Sequence, residues 1–169
     1  GAIRAHTLTD SVGLEVPNRT RSLVPIKSLV SSQEFKESKA ELPIAIGRTI
    51  EGKTKVFVLT KAPHLLVAGA TKQGKSVGLN VIISSLLYAK HPSELKFVFI
   101  DPKTVEFTPY NPLLKHYLAV LPTAADEEDE KRKAIVKKAK DAEQVLSSLC
   151  IEMDERYELL AKGGVNDFK

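Results

Sequence analysis

With 169 residues, 43% of them hydrophobic and 27% charged, the chain has the make-up of a folded protein with room for one core and a small appendage. The net charge of +4 is spread without a basic block, so charge by itself makes no case for a nucleic-acid partner. Lone Cys150 excludes an internal disulfide and fits a reducing compartment, while His6, His64, His91 and His116 lack the spacing of zinc ligands.

In chain order, residues 12–16 read as a strand stopped by Pro17-Asn18, and residues 25–30 as a short helix starting at a proline. Residues 31–41 are polar and run to Leu42-Pro43, which sets the expected boundary between a small α+β segment, 1–43, and a second region, 44–169. Residues 44–46, 56–59 and 64–68 are apolar runs of strand length, separated by Gly47, Gly52 and Pro63. Residues 75–90 read as a helix that is apolar over much of its circumference, closed by His91-Pro92. Residues 97–100 form an unbroken apolar run, the pattern of a strand buried on both faces. Strand 64–68, the helix, and strand 97–100 then make a βαβ unit with a parallel sheet.

Residues 126–162 are the longest expected helix. Ile135, Ala139, Ala142, Leu146, Leu149, Met153 and Leu160 give it one apolar seam, Gly163-Gly164 supplies the stop, and Cys150 and Met153 fall on or near the buried side. The acidic run 126–130 suits a helix start and needs no functional explanation. The most apolar stretch, 79–89, is too short and too interrupted to cross a membrane, and the first residues do not form a signal peptide, so the chain reads as soluble.

The chemistry concentrates in Gly69-Ala70-Thr71-Lys72-Gln73-Gly74-Lys75-Ser76, which has the spacing of a phosphate-binding loop. A polyphosphate needs several donors converging on it, and only a loop with glycines free to take positive φ lets backbone N–H groups approach that closely. Gly69 ends the strand and Gly74 lets the chain turn around a β-phosphate. Lys75 reaches the β- and γ-oxygens, and Ser76 offers its hydroxyl to Mg²⁺. The helix from Lys75 through Val77 aims its positive end at the same group. The reading implies ATP and Mg²⁺ as cofactors, residues 69–77 as the nucleotide-binding set, and Lys75 and Ser76 as the catalytic pair.

A second feature is Phe97-Val98-Phe99-Ile100-Asp101-Pro102-Lys103. An apolar strand ending in Asp could place a carboxylate on Mg²⁺, but Pro102 follows at once and no Glu stands beside Asp101. Asp101 is therefore open to two readings, a metal ligand or a turn-forming aspartate. Glu106 is a weaker candidate for a base.

These segments resemble the motor domain of FtsK/SpoIIIE DNA translocases. The likeness runs from Pro63-His64-Leu65-Leu66-Val67-Ala68 through Gly74-Lys75-Ser76-Val77-Gly78-Leu79-Asn80, then Ser85-Leu86-Leu87-Tyr88. It continues at Asp101-Pro102-Lys103 with Glu106, and at Glu152-Met153 with Arg156-Tyr157. Gly13-Leu14-Glu15-Val16-Pro17-Asn18 and Leu42-Pro43-Ile44-Ala45-Ile46-Gly47 look like the preceding α-subdomain and its junction. The resemblance implies a RecA-like P-loop NTPase acting as a homo-hexamer around double-stranded DNA, driven by ATP during cell division and chromosome segregation. It also implies a parent anchored in a bacterial membrane, with this portion on the cytoplasmic side. By the same comparison 1–43 is the end of the α-subdomain and 44–169 the first half of the RecA-like β-subdomain. The Walker B strand, arginine finger and DNA-contacting loops are then expected beyond residue 169, which makes Asp101 not the Walker B aspartate. Two departures stand out: Lys72 where the family usually has Gly, and the heavy charge of residues 126–140.

The fragment alone is expected to be inactive as an ATPase. Rival readings are another P-loop NTPase (a conjugation coupling protein, a secretion ATPase or a nucleotide kinase) and a non-catalytic assembly module.

Overall fold

The computed structural model describes residues 4–8, 11–16, 20, 22–70, 73–121 and 124–164. They fall into two compact units, Gly1–Ala89 and Lys90–Lys169. The first holds an antiparallel pair, β1 (Arg4–Leu8) and β2 (Ser11–Glu15), in a register that sets Arg4 opposite Glu15 and Leu8 opposite Ser11. The expected strand 12–16 is thus β2, one residue earlier; the Pro17-Asn18 stop lies outside the described residues.

Helix α1 (Ile26–Val30) starts after Pro25, whose fixed φ of −65° suits the residue just before a helix, as the sequence leads one to expect. Helix α2 (Gln33–Lys36) is capped by Ser32, which accepts from the Phe35 N–H at 3.3 Å. Two strands follow, β3 (Pro43–Arg48) and β4 (Thr54–Val58), paired antiparallel with a bulge between Ala45 and Gly47. Their connection closes on Gly52 at φ +80°, a left-handed conformation in which glycine meets no Cβ penalty. Helix α3 (Lys75–Ala89) packs on β3 and α1.

The core of this unit is built from Leu29, Val30, Phe35 and Ala45, with Ile26, Val56 and Ala89 against it. Burial of each larger aliphatic or aromatic side chain there contributes about 1.5–3 kcal/mol relative to exposure. Ser85, like Thr54 in β4, is a polar member of this interior. Fully buried in the middle of α3, its hydroxyl donates to the Val81 carbonyl at 2.7 Å and accepts from the Ala45 N–H at 3.1 Å. The bond ties the helix to β3 where the strand's register shifts.

The apolar run 64–68 does not become a strand. It carries no ladder among the described residues, and Leu66 is 90% exposed. Composition can propose a strand, but only a neighbouring strand can satisfy its N–H and C=O groups, and among the described residues none pairs with these five.

In the second unit β5 (Phe99–Ile100) runs parallel to β6 (Ile135–Val136), and Phe97 bridges to Leu118. Parallel pairing was expected, but between 64–68 and 97–100; its partner is instead a segment assigned by periodicity to a helix. Of the anticipated helix-flanked parallel sheet, the described residues form this short pair; the other two pairs, in the first unit, are antiparallel. The expected helix 126–162 is in fact three elements: α4 (Glu127–Lys133), β6, and α5 (Ala139–Gly163). Ile135 and Val136 are β-branched and buried at 3% and 9% exposure, and they fill a sheet position beside Phe99 and Ile100.

Helix α4 opens with a reciprocal cap. The Asp126 carboxylate accepts from the Asp129 N–H at 2.7 Å, and the Asp129 carboxylate accepts from the Ala125 N–H at 3.1 Å. Helix α5 ends as expected, with Gly164 left-handed at φ 65°. Its apolar seam, however, is not core: Val145 is buried, whereas Leu146, Leu149, Met153 and Cys150 are exposed. Within α5 the seam keeps its spacing, and Leu149, Met153 and Leu160 share one open groove. This groove, of about 1010 Å³, has Val98, Val120, Leu149, Met153 and Tyr157 on its walls.

Candidate nucleotide-binding site

The glycine loop follows β4 through a 3-10 turn, Leu59–Lys61, and an irregular stretch, then turns into α3. The Gln73 N–H donates to the Ala70 carbonyl at 3.1 Å, so the segment bends back on itself before the helix. Gly74 sits at φ +89°. A Cβ there would meet nothing within 4 Å, so the need for glycine is one of backbone conformation and not of space. At Gly69 an added Cβ would make only an ordinary contact, 3.9 Å from the Gln73 Cβ.

The first intrahelical bond runs from the Gly78 N–H to the Gly74 carbonyl at 2.8 Å. The amides of Lys75, Ser76 and Val77 therefore occupy the first turn, where a helix has N–H groups but no intrahelical acceptors. All three residues are exposed, and the positive end of a fifteen-residue helix lies among them. No acidic residue occurs from Gly69 to Val77, so the loop contains no carboxylate of its own to compete for these donors. Thr71 and Lys72 lie outside the described residues. Gly69 and Ala70, and beyond them Gln73 to Val77, are all exposed, and the helix start they lead to is suited in donors and charge to a polyphosphate.

Ser85 is the supporting residue that motif reasoning leaves without a role. A serine inside an otherwise apolar helix was the available signal. Its bond to Ala45 holds the helix bearing Lys75 and Ser76 against β3.

Asp101 belongs to the second unit and has a different environment. It is 4% exposed and closes a turn in which its carboxylate accepts five backbone N–H groups. One oxygen takes those of Lys103 at 3.2 Å and Thr104 at 3.0 Å. The other takes Val105 and Glu106, both at 2.9 Å, and Phe107 at 3.3 Å. Thr104 is held at φ 57°, a left-handed conformation uncommon outside glycine, asparagine and aspartate. Burial pushes the Asp101 pKa up. Against it, the N–H groups of Glu106, Phe107, Val105 and Lys103 favour the ionised form and together leave it below the ordinary 3.8. Phe99, Phe107 and Tyr110 stack around this turn, with Phe99 and Phe107 centroids 4.7 Å apart. Among the described residues, no group of three or more His, Cys, Asp or Glu side chains is placed to hold a metal ion.

Comparison with known proteins extends beyond these two turns. Residues 25–169 match the FtsK/SpoIIIE family. The chain is 45% identical over 150 residues to the DNA translocase FtsK of Haemophilus influenzae, an alignment covering 89% of this chain and 26% of that protein. It is 41% identical over 158 residues to the DNA translocase SftA of Bacillus subtilis, covering 94% of this chain and 15% of the relative. Against the DNA translocase FtsK of Chlorobaculum tepidum the identity is 40% over 158 residues, with 94% and 19% covered. The chain thus spans about a quarter or less of the length of these relatives. From its glycine loop to its long last helix, this chain belongs to the FtsK/SpoIIIE family.

Proposed function

We propose that the chain is the ATP-binding portion of a double-stranded-DNA translocase, a RecA-like P-loop motor that works as a homo-hexamer and moves chromosomal DNA during cell division. Residues 1–43 are the end of its α-subdomain and 44–169 the first half of its β-subdomain. The parent is anchored in a bacterial membrane with this portion on the cytoplasmic side; among the described residues no helix is long and apolar enough to cross a bilayer. One observation carries the nucleotide reading: the loop passes through left-handed Gly74 directly into the exposed start of α3.

In this reading residues 69–77 bind the phosphates through backbone N–H groups, and the Lys75 ammonium balances charge on the terminal phosphates. The Ser76 hydroxyl is the side-chain ligand for Mg²⁺. ATP with its Mg²⁺ supplies the phosphoanhydride that hydrolysis opens. The chain's own part is to bind and orient that group. Asp101, with its carboxylate engaged by five amides, organises the turn after β5 and is not a metal ligand. Activating the water and stabilising the transferred charge require groups supplied from elsewhere in the assembly, so the 169 residues alone hydrolyse ATP negligibly.

Titration of the chain with a fluorescent ATP analogue tests the reading. Binding weakened at least about tenfold by Lys75→Ala supports it. Affinity that ignores this change, or turnover by the chain matching an intact ring, removes it. Phosphoryl transfer to a nucleoside monophosphate would point to a kinase instead.

A further inference from the structure

We infer that Lys103, Lys137, Lys138 and Lys140, gathered at one end of the β5–β6 pair, form a contact surface for the phosphates of duplex DNA. The identity of the polyanion rests on the translocase reading; the surface itself rests on the geometry. Ile100 pairs in parallel with Val136, and the Asp101 N–H donates to the Val136 carbonyl at 2.8 Å. Both strands therefore release their chains at the same end. Lys103 leaves in the turn after β5, Lys137 and Lys138 follow β6 directly, and Lys140 lies in the first turn of α5. The carboxyl ends of parallel strands are where open α/β folds meet their ligands.

All four lysines are exposed, and among the described residues none has an ion-pair partner. Acidic groups nearby do not cancel them. Asp101 is buried and committed to amides, Glu106 is half-buried in the same turn, and Asp141 is the single acid in the first turn of α5. The arrangement also costs the protein internally. Lys138 occupies the N-cap of α5 with no side-chain cap bond, and the cations crowd the positive end of a 25-residue helix. Neighbouring α4 obeys the opposite rule, with four acids in its first turn and three bases in its last. Composition alone therefore does not explain the misfit, and a local rule broken without gain inside the chain marks a surface meant for a partner. Several exposed lysines without counter-charges fit a phosphate backbone, which needs point charges and not a shaped pocket.

The test is fluorescence anisotropy of a labelled duplex of about 30 base pairs with the whole 169-residue chain, from about 50 to 200 mM salt, the range over which counterion release is legible. The expected log–log slope is about −3 to −4 for four phosphate contacts. Each single Lys→Gln change lowers affinity severalfold and the slope by about one. The combined K103Q, K137Q, K138Q and K140Q variant loses most of the binding while its far-UV spectrum and Tm stay at or above wild type. Lys53→Gln, at an exposed lysine in the β3–β4 connection, retains DNA affinity, which separates this surface from general positive charge. If the wild-type chain binds the duplex and the combined variant binds as tightly, the surface is overturned while the translocase reading stands. No binding at the lowest salt, or a preference for poly-glutamate over the duplex, overturns it as well. The translocase reading itself is then decided separately, by DNA-stimulated ATP turnover in the full-length parent.

Discussion

The turns at 69–76 and 101–107 solve one problem in opposite ways. Both bring backbone N–H groups to a sharp change of chain direction, and both use a left-handed residue, Gly74 in one and Thr104 in the other. In the second turn the chain supplies the anion itself, and the Asp101 carboxylate takes five amides. In the first no carboxylate is present in the sequence, a lysine begins the helix, and the first-turn residues are exposed. A cradle filled from within is architecture. A turn whose own sequence offers no carboxylate is the candidate for a binding site.

The largest test of this contrast is Asp101→Ala, which leaves the five amides that converge on this buried carboxylate without their acceptor. We expect a loss of about 3 kcal/mol or more in a urea unfolding titration. Asp101→Asn, which keeps an acceptor but removes the charge, should lose less. The pH dependence carries the same signature. Because the folded-state pKa lies below the ordinary 3.8, the contribution of Asp101 is complete above that value. It is lost as pH falls through the lower folded pKa, so wild-type stability should drop in that acid window and the Asn variant should lack the drop.

Next in size, Ser85→Ala removes the acceptor of the buried Ala45 N–H and should cost about 2 kcal/mol in the same titration. Lys75→Ala should leave folding intact yet weaken ATP-analogue binding at least about tenfold, or about 1.4 kcal/mol, by fluorescence titration. If instead it unfolded the chain, the lysine would be architecture and the contrast would fail. Smallest is Gly74→Ala, with about 1–2 kcal/mol of backbone strain at a site with free space around it. A change in Tm of a few degrees, alongside weakened nucleotide binding, would sharpen the view that conformation and not room requires glycine there.

Local turns and helix ends were more legible in the sequence than the fold around them. The loop's position, the start of the helix at Lys75, the proline before α1 and the glycine stop at Gly164 all follow from contiguous residues, and each stands where it was expected. The sequence left Asp101 open between a metal ligand and a turn former, because nothing in its neighbours reveals that five amides will curl back onto it. Ser85 looked like an interruption of an apolar helix until the Ala45 N–H was seen opposite it.

What the sequence determined by itself, then, was local: where a left-handed residue, a cap or a loop spacing must act, since those depend on a few neighbouring residues. Only the tertiary structure decided that 64–68 is not a strand, that Ile135–Val136 is one, and that the apolar seam of α5 lies largely exposed. Strand identity and burial depend on partners far along the chain, and no periodicity counted within a segment can say which of those partners arrives.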